Sequence, residues 1–152
     1  MRVPTFLPEG RKLLQEFEGC SLVAYQDQGG TWTIGYGHTR GVTDGMTCTQ
    51  ERAQEWLGED LENTCAAVFG NLSPIAREQI SDAQFTAFVL FAFNVKGWAT
   101  CEQMARINVC DWKGAADHWL LYDHEVINGQ KVEVAGLERR RVAELAIFTR
   151  TA

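Results

Sequence analysis

Three residues near the start of the chain have the types and spacing for acid–base work. Glu18, Asp27 and Thr33 stand as Glu-x8-Asp-x5-Thr, closed by Gly35-Tyr36-Gly37-His38. Cleavage of a glycosidic bond needs a protonated acid at the leaving oxygen. It also needs a carboxylate that activates water or stabilises the oxocarbenium-like centre. Glu18 suits the acid if apolar packing raises its pKa, because burial disfavours the charged form. Asp27, in a polar Gly-rich turn, suits the ionised partner, and the Thr33 hydroxyl can hold a water. Two carboxylates in different surroundings are what such chemistry requires. Spacing alone does not make them face one another, and a solvated helix-end glutamate is the plain alternative for Glu18.

The elements that must position these groups follow from periodicity. Residues 1–7 read as a short arm, and Pro8 suits a first helical turn. Leu13, Leu14 and Phe17 share a helical face with Glu18 at its border, and Gly19 ends the helix. Leu22–Gln26 and Trp32–Tyr36 read as strands around Gln28-Gly29-Gly30. Gly35, Gly37, Gly41 and Gly45 add turns, with close approach to a ligand as their other use. Thr49 opens a long helix to about Phe69, with Ala53, Trp56, Leu57, Leu61, Cys65, Val68 and Phe69 at helical spacing. Asp60 lies inside that apolar stripe and needs a partner, since burying a lone charge is costly. His38 is the candidate.

Asn71–Pro74 breaks the pattern. Ser81-x-x-Gln84 is a capping box before Phe85, Phe88, Val89, Phe91, Ala92, Phe93 and Val95, a helix apolar on nearly all sides. Thr100-x-x-Gln103 predicts the cap of a short helix, and Asp111 that of another through Trp112, Ala115, Ala116, Trp119 and Leu120. Glu125–Val134 alternates around Asn128-Gly129 as a hairpin or an irregular excursion. A last helix over about Leu137–Phe148 packs Val142, Leu145 and Ile147 or Phe148 inward. The order predicts an α+β, mostly α-helical fold of two lobes. The β-lobe spans about 20–48, the bridging helix about 49–69, and the helical lobe 1–19 plus 70–152.

Composition bounds the function. The 152 residues carry a formal net charge of -6, which argues against a nucleic-acid binder, since that would need a basic stripe. An anionic substrate is also awkward, unless Arg139, Arg140 and Arg141 offset the balance locally. The five cysteines form no Cys-x-x-Cys pair and read as free, mostly buried thiols of a reducing compartment. The three His lack ligand spacing, so neither a metal nor an organic cofactor is implied. No apolar signal core or membrane span is visible, and a monomer is the default.

The stretch Ala24-Tyr25-x-Asp27 with Trp32-Thr33-Ile34-Gly35-Tyr36-Gly37-His38-Thr39 resembles the active-site signature of the phage-type lysozymes, the endolysins of glycoside hydrolase family 24. Gln84-x-x-Ala87 through Phe93-Asn94 and Gly136-Leu137-x-x-Arg140-Arg141-x-Ala143-Glu144 are similar to later family blocks, in the same order. The resemblance implies a lysozyme-like fold with a cleft between lobes. It also implies a muramidase cleaving the β-1,4 bond from N-acetylmuramic acid to N-acetylglucosamine in peptidoglycan, with inversion. Glu18 is then the general acid, Asp27 the second carboxylate, and Thr33 the residue that places water. A carboxyl separation of roughly 6.5–9.5 Å suits inversion. The resemblance further implies an ion pair between His38 and Asp60, structural rather than catalytic.

Arg140 either reaches Glu18, holding it in place while lowering its pKa, or stands solvated. Asn94 either lines the cleft floor or is a plain helix-end amide. The chain departs from the family at His124-Glu125-Val126, where many relatives carry a Trp. Its expected partner is the peptidoglycan glycan strand, with no nucleic acid and no membrane insertion. It would stay in the host cytoplasm until a holin-type pore releases it to the wall. A lytic transglycosylase is the rival reaction on the same glycan, although Asp27 and Thr33 argue for activated water. A non-catalytic wall-binding module is the rival without chemistry.

Overall fold

Pro8 opens the first helix, α1 (Pro8–Glu18), where its missing N–H leaves no helical bond unmade. Gly19 stops it with φ at +63°, the left-handed conformation that glycine adopts without strain. Glu18 is therefore the last helical residue, and the chain turns directly into β1 (Ser21–Gln26). The computed structural model describes residues 2–122, 124–127, 130–133 and 135–150, and it describes side chains outside 122–135.

Strand β1 pairs antiparallel with β2 (Trp32–Gly35), in the register Tyr25↔Thr33 and Gln26↔Trp32. The register shifts between Ser21 and Tyr25, and there Val23 bridges to Thr47 instead. The second strand stops at Gly35 rather than reaching Tyr36. Gly35 and Gly37 both take positive φ, so the chain turns back and Ile34 and His38 exchange two 2.9 Å backbone hydrogen bonds. Ile34, Val42 and Trp56 form a small core there, with Ala24, Trp32, Met46 and Cys48 against it.

The long helix α2 runs over Gln50–Asn71, with the Thr49 hydroxyl accepting from Arg52 N–H at its start. Ala53, Trp56, Leu57, Leu61 and Val68 are buried along one stripe. A short helix, α3 (Pro74–Gln79), occupies what reads in sequence as a mere break; Ser73 caps it and Pro74 is its first residue. In α4 (Asp82–Asn94) both halves of the Ser81/Gln84 capping box are made, and Phe85–Ala92 are buried without interruption.

The next helix, α5 (Glu102–Asn108), starts later than Thr100-x-x-Gln103 predicts. Trp98–Thr100 forms a 3-10 turn, with the Thr100 hydroxyl spent on the Gly97 carbonyl. The Cys101 sulfur accepts from Met104 N–H in its place. Asp111 caps α6 (Trp112–Asp117) as expected, accepting from Gly114 N–H. Trp119 and Leu120 fall outside α6, in a 3-10 turn over Trp119–Tyr122. Strands β3 (His124–Ile127) and β4 (Gln130–Glu133) pair as a hairpin, with Ile127 opposite Gln130. Asn128-Gly129 and the side chains of His124-Glu125-Val126 lie outside the described residues.

The last helix, α7 (Ala135–Phe148), buries part of the expected face and adds a polar one. Ile147 and Phe148 are buried, but Val142 is 51% exposed. The inward face instead carries Arg140, Arg141 and Glu144, all buried. This also removes the surface basic cluster expected at Arg139–Arg141, of which only Arg139 is exposed. All five thiols are free, but they are not mostly buried: Cys101 alone is, and Cys20 is exposed.

The chain divides into two compact units, residues 11–64 and residues 1–10 with 65–152, the boundary falling within α2. In the second unit the N-terminal arm lies on the start of α4. Thr5 N–H donates to Asp82, and Leu7 N–H to the Thr86 hydroxyl.

Candidate active site

Glu18, Asp27 and Thr33 all belong to the unit of residues 11–64. Glu18 is half-buried at the end of α1. Its carboxylate lies against the backbone of Gly37: a Cβ built at Gly37 would meet Glu18 Oε2 at 2.9 Å. Gly37 also has φ at +81°. Glycine is thus required twice, for the turn and for the space the acid occupies. Gly37→Ala forces a side chain into both. We expect it to cut activity roughly 10- to 100-fold by shifting the acid, while destabilising the fold by about 1–3 kcal/mol. Parallel turbidity assays and urea titrations check this.

Asp27 is exposed in the hairpin turn and uses its two oxygens differently. Oδ1 accepts from Gly29 N–H and from Thr31 N–H, each at 2.9 Å. Oδ2 takes no protein hydrogen bond among the described residues. Thr33 is buried in β2, and its hydroxyl donates to the Thr31 carbonyl at 3.0 Å. With that proton committed, Thr33 Oγ1 offers a lone pair to any further partner. Thr31 thus ties the two side chains together, its N–H to Asp27 and its carbonyl to Thr33.

The two carboxylates converge electrostatically on Tyr25. Burial pushes the Tyr25 phenol above its ordinary value, and the charges of Glu18 and Asp27 push it further the same way. A carboxylate at a helix end and one in a hairpin turn therefore act on the same point of the β-ribbon.

His38 Nδ1 lies 2.8 Å from Asp60 Oδ2, and the imidazole stacks on Trp56 at 4.5 Å, nearly parallel. The ring is 4% exposed. These contacts anchor the Gly35–Gly37 turn to α2 and so hold Gly37 at the Glu18 carboxylate. Removing the ring in His38→Ala leaves Asp60 without this partner, and we expect a loss of about 1–3 kcal/mol, read from the urea midpoint.

Arg140 and Asn94 belong to the other unit. Arg140 is buried; its Nε donates to Glu144 and its Nη2 to the Leu90 carbonyl. Asn94, exposed at the end of α4, accepts from Arg141 through Oδ1 at 2.8 Å, which leaves its amide N–H groups as the donors it can offer. Sequence reasoning missed Gly37 as the neighbour of Glu18, although the Gly-x-Gly spacing marks a forced turn. It also missed Glu144 as a buried anion, which the Arg-Arg pair before it signals. Among the described residues no three His, Cys, Asp or Glu come together to hold a metal ion.

This mostly helical α+β chain superposes on solved phage lysozymes and endolysins, which gives it the lysozyme fold and places it among the lysozyme-type glycoside hydrolases. Residues 15–144 match the phage lysozyme family. The endolysin of Acyrthosiphon pisum secondary endosymbiont phage 1 is 33% identical over 142 residues, 92% of this chain and 94% of that protein. The muramidase domain of SpmX from Asticaccaulis excentricus superposes with a TM-score of 0.84 at 30% identity, covering 97% of this chain and 99% of that one. An endolysin from Escherichia coli O157:H7 phage FAHEc1 gives 0.81 at 29% identity, over 95% and 93%. The chain belongs to the phage lysozyme family.

Proposed function

We propose that this peptidoglycan-degrading muramidase, a host-lysis enzyme of the endolysin kind, cleaves the β-1,4 bond between N-acetylmuramic acid and N-acetylglucosamine by a single displacement. Glu18 is the general acid, Asp27 the general base, and Thr33 the residue that orients water. The division of labour between the Asp27 oxygens supports this most directly. Oδ1 is held by two backbone N–H groups, which fixes the carboxylate, and Oδ2 remains to take a proton.

A water donating one O–H to Asp27 Oδ2 and the other to Thr33 Oγ1 presents its lone pair to the anomeric carbon. Glu18 gives its proton to the glycosidic oxygen as that bond breaks. The water oxygen bonds to the anomeric carbon from the opposite face, and its proton passes to Asp27. The product is a reducing sugar of inverted configuration; Asp27 then releases its proton to solvent and Glu18 takes one up from solvent, which resets both carboxyl groups.

NMR of the fresh product, before mutarotation, tests the reading. An inverted anomer supports direct attack by water, and a retained one favours Asp27 as nucleophile. An anhydro-sugar lighter by one water would identify a lytic transglycosylase instead. The same proposal includes Asn94 and Arg140 as weaker contributors to substrate binding or acid positioning, action as a monomer, and release to the wall through a holin-type pore. Among the described residues no helix is long and apolar enough to cross a membrane. Co-expression with and without a pore-forming protein tests the route, since lysis without the pore would exclude it.

A further inference from the structure

The mechanism above leaves Tyr25 unused. Tyr25 stands directly opposite Thr33 in the β1–β2 register, and paired residues of an antiparallel ribbon project their side chains to the same face. The phenol and the Thr33 hydroxyl therefore share a face. The register shifts between Ser21 and Tyr25, so regular pairing resumes at this residue.

Tyr25 is 41% exposed although its cross-strand partner Thr33 is buried. Its hydroxyl makes no hydrogen bond with a described residue. The charges of both Glu18 and Asp27 reach it, and with burial they hold the proton on the phenol oxygen. The group is thus an uncommitted O–H donor over the whole working pH range, sited where two carboxylates act together.

We propose that Tyr25 is a substrate-orienting residue of this site, its phenol O–H donated to a polar group of the sugar that lies between Glu18 and Asp27. The acceptor is a ring hydroxyl or the acetamido carbonyl of an N-acetylated hexosamine. The proposal rests on the assignment of Glu18 and Asp27 as the reacting pair. Hydrogen bonds to the sugar that tighten as the ring distorts accelerate cleavage, so the contact acts on kcat as well as on binding.

Tyr25→Phe keeps the ring and deletes only the donor. On soluble, uncrosslinked peptidoglycan oligosaccharides we expect kcat/KM to fall roughly three- to tenfold, as one neutral hydrogen bond predicts, with kcat carrying part of the loss. The melting temperature and both limbs of the pH–rate profile stay where they are, because a neutral phenol adds no charge. Tyr25→Ala loses more, through the ring.

Wild-type kinetics in Tyr25→Phe would overturn the proposal. So would a shifted limb of the pH profile, which would mean that the hydroxyl acts on a carboxylate and not on sugar, or a loss that follows a lowered melting temperature. Glu18→Gln in the same series separates the two levels. An active Glu18→Gln removes the underlying assignment, whereas an inactive Glu18→Gln beside a fully active Tyr25→Phe removes only the role of Tyr25.

Discussion

Glu18→Gln stops lysis while the protein stays folded. Clearing of chloroform-treated bacteria should fall by roughly 10²–10⁴-fold, the range that a lost general acid removes. The substitution is nearly isosteric, so it preserves the contact with Gly37, where a Cβ would already meet Oε2 at 2.9 Å. An amide cannot deliver a proton to the glycosidic oxygen, the step that the proposed mechanism assigns to Glu18. An unchanged urea midpoint is the control. Equal clearing by the variant and the parent would end the case for Glu18 as acid, and with it the assignment of Asp27 as base.

The largest effect on stability belongs to Glu144. It lies fully buried on α7, where Arg140 Nε and Arg141 Nη2 each donate to Oε2 at 3.1 Å and Trp119 Nε1 donates to Oε1 at 3.2 Å. Arg141, 0% exposed, also lies over the Phe91 ring at 4.9 Å. Burial pushes the Glu144 carboxyl up and the Arg141 guanidinium down to about 10, while the attraction of each for the other opposes both shifts.

Such a cluster adds little over a well-packed apolar core, but removing one partner leaves a buried charge without its counter-ion. Glu144→Leu is expected to lose about 3–5 kcal/mol, seen as a lower urea midpoint at unchanged slope. Adding Arg141→Met to it should recover part of that loss, since the double change removes charges of both signs. If Glu144→Leu proves neutral, the cluster is not the centre of the helical unit's stability.

Much of this molecule is legible locally. Pro8, Gly19, the Ser81/Gln84 box and the Asp111 cap act within a turn or two of the chain, and each fixes its helix end as their types predict. The hairpin at Gln28-Gly29-Gly30 is equally local. What sequence reasoning misplaces depends on neighbours distant in the chain. Val142 reads as a core residue by spacing, yet α7 turns its Arg140–Arg141–Glu144 face inward, where the opposite charges pair and Trp119 donates to Glu144. Thr100 reads as a helix cap, yet Gly97 claims its hydroxyl and a sulfur takes its place. Glu18 and Asp27 are singled out by the flanking residues that resemble the family signature. The neighbour that confines Glu18, Gly37, cannot be, since only the folded Gly35–Gly37 turn brings it there.

The way Asp27 is held narrows what can replace it. Its Oδ1 closes the loop by gripping two amides, so under the proposed mechanism the residue is at once keystone and reagent. Asparagine offers a carbonyl of the same reach and can keep the arch standing with the chemistry switched off. Glutamate, one methylene longer, keeps the charge but cannot span that arch. Variation at this position is therefore asymmetric: shape is inherited from side-chain length and reactivity from ionisation, and of the two acidic residues only aspartate supplies both.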